Sequence, residues 1–194
     1  MKLILNDKAL EKLTAFAAKV EATCAKGSEH MRALHLLLES ALGERYISNT
    51  NRTPSEFHDK WANNIGFVRW DSGTIKDCVD NIRHPEKSRV TPEKNTKFIR
   101  EILDRIRNWP TQISDKPASS DEKYPAGLER SFRQVETLVE THRRLLNETQ
   151  HGEVAAHLAA MRDAVRKIKK FAKEAGRIYN QIVPTGMSRE KPGG

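Results

Sequence analysis

The chain has 194 residues, enough for one large domain or two small ones. Charged residues make up 31% of it and hydrophobic residues 37%, a balance that suits thin helical layers better than one thick globule. The 34 Lys and Arg outweigh the 26 Asp and Glu by a net charge of +8, which points to a polyanionic partner, either DNA, RNA or an acidic protein.

Two cysteines, Cys24 and Cys78, stand too far apart in sequence for a paired metal motif and are too few for a disulfide framework. The opening apolar run, Leu3 to Leu5, is broken at once by Asn6-Asp7-Lys8, so it reads as neither a signal peptide nor a membrane span. A cytoplasmic protein is expected, with no membrane association, no metal and no cofactor.

In chain order, Asn6 or Asp7 caps a helix whose Leu10, Leu13, Phe16, Ala17 and Val20 recur at three-and-four spacing, and Gly27 is expected to end it. Ser28 then caps a second helix with Met31, Leu34, Leu38 and Leu42 on one stripe, stopped by Gly43 and an Asn-rich loop over 48–52. These two form a helical hairpin. Thr53-Pro54-Ser55-Glu56 combines a Thr cap, Pro at the first helical position and a Glu placed to close a capping box. That helix runs through Phe57, Trp61 and Ile65 to Gly66. A turn containing Asp71, Ser72 and Gly73 follows, and Ile75, Val79 and Ile82 line a short helix ended by Pro85. Thr91-Pro92-Glu93 starts another helix, with Phe98, Ile102, Leu103 and Ile106 inward, stopped by Trp109-Pro110.

Residues 111–126 carry Pro117 and Pro125 among Ser, Asp and Lys without an apolar period and read as a linker. Beyond it, Leu128 to Leu146 and Val154 to Ile178 mark an antiparallel helix pair joined near His151-Gly152. Each of the two has a single apolar stripe, which must be buried on the first domain or on a second chain. The expected fold is therefore an all-α helical bundle with an N-terminal domain over 1–110, a C-terminal helical hairpin over 127–183 and a disordered tail over 184–194. A homodimer or a larger protein complex suits it.

Three constellations bear on function. In FHDKWANNIGFVRWDSGTIKDCVDNI, Ala62 and Gly66 stand four apart, where close helix crossing in a helix-turn-helix needs small residues. A helix starting after the turn leaves Thr74, Lys76, Asp77 and Asp80 outward, facing a major groove, and Arg83, His84, Lys87 and Arg89 near phosphates. Residues 54–107 resemble the repressor-type helix-turn-helix family, although the segment from Gly66 to Thr74, which holds Arg69 and Trp70, exceeds the usual turn of about three to four residues. The resemblance implies a duplex DNA-binding regulator or accessory factor. Trp61, Trp70 and Trp109 read as core and hinge anchors more than as base-stacking platforms.

The second constellation is MRDAVRKIKKFAKEAGR, in which Arg162, Arg166, Lys167, Lys169, Lys170, Lys173 and Arg177 face only Asp163 and Glu174. Such a stripe accepts a phosphate backbone without reading sequence, as in a helical subunit of a nucleoprotein complex bound to RNA or single strands. The plainer alternative is a solvated face paired with Glu136 and Glu140. Third, Arg144 and His151 in RLLNETQH have a spacing similar to that of the HEPN family of helical ribonucleases, which implies a metal-independent RNA cleavage with His151 as acid or base. No phosphate loop, zinc-protease pair, nucleophile elbow or carboxylate cluster is present in the sequence.

Overall fold

The computed structural model describes residues 5–50, 54–109 and 127–182. Among them the regular structure is all α: α1 (Asp7–Thr50), α2 (Pro54–Arg83), α3 (Pro92–Asn108), α4 (Leu128–Thr141) and α5 (Glu148–Ile182), with 3-10 turns at Pro85–Lys87 and Arg143–Leu145. None of these helices is long and apolar enough to cross a membrane.

Several starts follow from local chemistry. Asn6 Oδ1 accepts from the Ala9 amide at 2.9 Å, and Thr91 Oγ1 accepts from the Lys94 amide, each filling one of the donors that a helix N-terminus leaves open. At the start of α5, Asn147 Oδ1 accepts from the Gln150 amide at 2.9 Å while Gln150 Oε1 accepts from the Asn147 amide at 3.1 Å. This reciprocal cap puts the helix start ahead of His151-Gly152, where the sequence places the junction. The preceding helix stops correspondingly early, at Thr141, and the 3-10 turn carries the chain across.

Contacts along the helices fix their directions. Lys12 meets Gln181, Lys19 meets Glu174 and His30 meets His157, so α1 and α5 are antiparallel. Lys76 pairs with Glu21, the Trp61 indole reaches Gly27, and His58 stacks on His35, so α1 and α2 are antiparallel as well. In α3, Arg105 pairs with Asp71 of α2, Arg100 donates to the Ile182 carbonyl and Arg107 lies over Tyr179 of α5. In α4, the Phe132 ring meets Trp61, and Glu129 and Glu136 meet Lys169 and Arg162. Both α3 and α4 thus run against α5, one beside its C-terminal half and the other beside its middle. They stack as two pieces of a single column, and the molecule is an up-down-up-down bundle of four columns.

One contiguous core joins all five helices, with Phe16, Met31, Trp61, Ile75, Leu103 and Leu128 among its fully buried members. The apolar stripes of α4 and α5 are therefore covered by the first three helices, and a second copy is not needed to bury them. Cys24 and Cys78 are free thiols within this core, and burial raises them to about 12 and about 11.

Two expected breaks are absent. Gly27 lies inside α1, and its missing side chain is what lets α2 approach: a Cβ there would stand 2.8 Å from Ile65 Cδ1. Trp61 Nε1 donates to the Gly27 carbonyl at 3.0 Å in the same crossing. A glycine costs a helix about 1 kcal/mol relative to alanine, less than burial of a tryptophan returns. The helix therefore continues to Gly43, whose φ of 48° kinks it, and runs on to Thr50 where a loop is expected.

The second absent break is the turn at Asp71-Ser72-Gly73, through which α2 continues as one helix. The hydroxyls here bond within the helix, Ser72 Oγ donating to the Arg69 carbonyl at 2.7 Å and Thr74 Oγ1 to the Trp70 carbonyl at 3.0 Å, while Asp71 is held by Arg105 of α3. Nor does Gly66 serve a close crossing, since a Cβ there would meet nothing within 4 Å. Over 54–107 the chain thus forms a continuous α2, a corner at 84–91 and α3. The Thr53 cap, the linker over 111–126 and the tail over 184–194 lie outside the described residues.

Candidate nucleic-acid interface

The basic residues of α5 lie on the side opposite its core. Met161, Val165, Ile168, Phe171, Ala175 and Ile178 are buried, whereas Arg162, Arg166, Lys169, Lys170, Lys173 and Arg177 are exposed at the complementary three-and-four spacing. From Arg162 to Arg177 the stripe covers about 22 Å of helix at 1.5 Å per residue.

Pairing divides it. Arg162 donates to Glu136 Oε1 at 2.5 Å, Lys169 donates to Glu129 Oε1 at 2.8 Å, and Lys167 pairs with Asp163 at 2.8 Å. The Asp163 carboxyl is held below its ordinary range first by the Lys167 hydrogen bond. Arg166, Lys170, Lys173 and Arg177 form no ion pair among the described residues. Acidic residues of α4 thus neutralise the near end of the stripe, with Glu129 and Glu136 as the partners instead of the expected Glu136 and Glu140, and leave the far end open.

A second basic row on α1, absent from the sequence reading, runs beside that open end. Lys12, Lys19 and Lys26 are exposed at seven-residue intervals, two helical turns each, so they share one side of the helix. Lys12 donates to Gln181 of α5 at 2.8 Å and Lys19 lies 3.7 Å from Glu174, which places the row along the α1/α5 seam. Between the two rows a groove of about 510 Å3 is rimmed by Lys12, Lys170, Lys173 and Arg177 against the single carboxylate of Glu174. The seven-residue interval was present in the sequence, inside the helix expected to end at Gly27; its meaning comes from α5, which meets this side of α1 across 169 positions of chain at Lys12 and Gln181.

The residues expected from the helix-turn-helix resemblance are dispersed. Lys76 is tied to Glu21 of α1, which lowers the Glu21 carboxyl chiefly through that hydrogen bond, and Thr74 bonds its own helix. Arg69 is exposed on α2, one residue before Trp70. Arg83, His84, Lys87 and Arg89 are exposed together at the α2–α3 corner, with His84 3.5 Å from Glu86. Trp61 and Trp109 are buried anchors, but Trp70 is 60% exposed and faces Arg105, whose guanidinium lies 5.7 Å from its ring and 5.5 Å from that of Phe67.

Beneath those rings Asp71 is fully buried and accepts from Arg105 Nη2 at 2.5 Å. Its carboxyl is nevertheless pushed up to about 6, because removal from water costs the anion more than a partly hydrated guanidinium returns. With the folded value above the unfolded one, this group favours the fold fully below about pH 4 and loses that contribution as pH rises through 6, on the order of 3 kcal/mol. Asp71→Asn should therefore be the more stable protein at pH 7 and should lack this decline. Urea unfolding of both proteins at pH 4, 5, 6 and 7 measures the difference, and parallel curves would contradict it.

Arg144 is not among the residues that line the cavity at His151. Arg144 is exposed on the 3-10 turn, while His151 lines a cavity of about 340 Å3 in company with Arg143, between the end of α4 and the start of α5. No cluster of three or more His, Cys, Asp or Glu able to hold a metal ion occurs among the described residues. Comparisons with protein-family models, with curated proteins and with solved structures find no match for this chain.

Proposed function

We propose that this protein binds nucleic acid, holding the phosphate backbone on its α1/α5 side without reading base sequence. The observation that carries the reading is the set of four α5 cations, Arg166, Lys170, Lys173 and Arg177, aligned opposite the core, free of ion pairs among the described residues and flanked by the lysine row of α1. A fold gains nothing from keeping four like charges together, whereas a phosphate strand that displaces its counterions onto them gains affinity from each. Cations that meet phosphate oxygens carry no sequence information, so base readout is not part of the reading.

The purified chain, titrated with salt against a random duplex DNA pool and a random RNA pool, tests this. Binding that is tight at low salt, falls steeply as salt rises and enriches no motif is the expected result. Enrichment of one duplex motif would transfer the function to a sequence-reading surface. Absence of binding at low salt would refer the charge to an acidic protein partner.

A further inference from the structure

The cavity at the α4–α5 junction lies at the head of the cationic stripe. On α5, His151, Ala155 and Leu158 are followed by Arg162, Arg166 and Lys169 at intervals of three and four, so cavity mouth and stripe occupy one side of the same helix. Its floor is apolar, from Val139 of α4 and Val154 and Leu158 of α5, and its rim carries Glu140, Arg143 and His151. A volume of about 340 Å3 is at the small end of the roughly 300–1,000 Å3 typical of ligand pockets, which suits one ring system rather than a larger cofactor.

A nucleobase has this character: flat apolar faces and a polar edge of donors and acceptors. The apolar floor takes a ring face, the Glu140 carboxylate accepts from an exocyclic amine, and the Arg143 guanidinium donates to ring nitrogen or carbonyl oxygen. In a duplex those edges are paired and those faces stacked, so a base enters only from an unpaired strand or after costly extrusion. We infer that this cavity receives one unpaired base of a single strand whose backbone continues along the α5 cations. The inference rests on the nucleic-acid reading above and adds to it the substrate class, single-stranded over duplex.

The test uses the full chain and a short oligonucleotide carrying one 2-aminopurine, as DNA and as RNA, each alone and annealed to its complement. Ala155→Trp fills the cavity from an exposed helical position, and Glu140→Gln removes the carboxylate without changing volume. Single strands in the DNA or the RNA arm are expected to bind about tenfold tighter than the matching duplex, with a change in 2-aminopurine emission on binding. Ala155→Trp is expected to remove that margin and leave duplex binding unchanged, and Glu140→Gln to weaken single strands alone. Equal affinity for single strands and duplex, or single-strand binding untouched by both substitutions, would overturn the pocket while leaving backbone binding in place. Failure of every nucleic acid to bind would instead remove the function on which the pocket rests.

Discussion

Replacing Arg166, Lys170, Lys173 and Arg177 together by glutamine is expected to weaken nucleic-acid binding roughly 100-fold or more near physiological salt and to flatten its salt dependence by about three to four in the log–log slope. The physics is counterion release: each cation that neutralises a phosphate contributes close to one unit to the slope, and these four form no ion pair among the described residues. Their side chains are exposed and the glutamines keep helix propensity, so the fold should persist, as circular dichroism and the melting temperature would verify. The matched comparison is Arg83→Gln, Lys87→Gln and Arg89→Gln at the α2–α3 corner, which removes cations of the same kind elsewhere. If the corner variant lost affinity and the stripe variant kept it, the binding side would be misassigned.

Gly27→Leu should be the most destabilising single change. The crossing of α1 and α2 leaves no room for a side chain larger than a methyl, with Ile65 Cδ1 2.8 Å from where a Cβ would stand and the Trp61 indole bonded to the Gly27 carbonyl. Leucine forces the helices apart, at a cost of about 1–3 kcal/mol for overpacking and about 1 kcal/mol for the lost hydrogen bond. At roughly 2–4 °C per kcal/mol for a chain of this size, the melting temperature should fall by about 5–15 °C. Gly27→Ala should be far milder, because the obstructing atom is the tip of a side chain and alanine recovers about 1 kcal/mol of helix propensity. A Gly27→Leu protein that melts with the parent would mean that the helices do not meet here.

What the sequence made legible was whatever depends on neighbours a few residues away. The stripes of Leu10, Leu13 and Phe16, of Trp61 and Ile65, and of Ile102, Leu103 and Ile106 all face the core, and Thr91-Pro92-Glu93 opens α3 as its chemistry dictates; Phe98, expected inward with them, is instead 40% exposed, and its neighbour Ile99 takes the core position. What stayed hidden depends on residues far away in the chain. Gly27 reads locally as a stop, yet it is kept inside a helix by Trp61, and Asp71-Ser72-Gly73 reads as a turn, yet Arg105 and two carbonyls hold its polar groups in helical form. The candidate interface divides in the same way: the α5 stripe is visible along the sequence, while its pairing with α4 and the lysine row beside it emerge only when three helices are placed side by side.

The broken column has a consequence for how the chain tolerates change. It leaves that column after Trp109 and rejoins it at Gly127, where Arg107 lies against Gly176 and Glu129 reaches Lys169. Those two points are about 10 Å apart along α5 at 1.5 Å per residue. The break is therefore a seam between two fixed ends that stand close together, and each doubling of the length of a flexible connection between such ends adds only about 0.6 kcal/mol of closure entropy. A foreign segment inserted there, or a reporter carried on it, would ride on the bundle without entering its core.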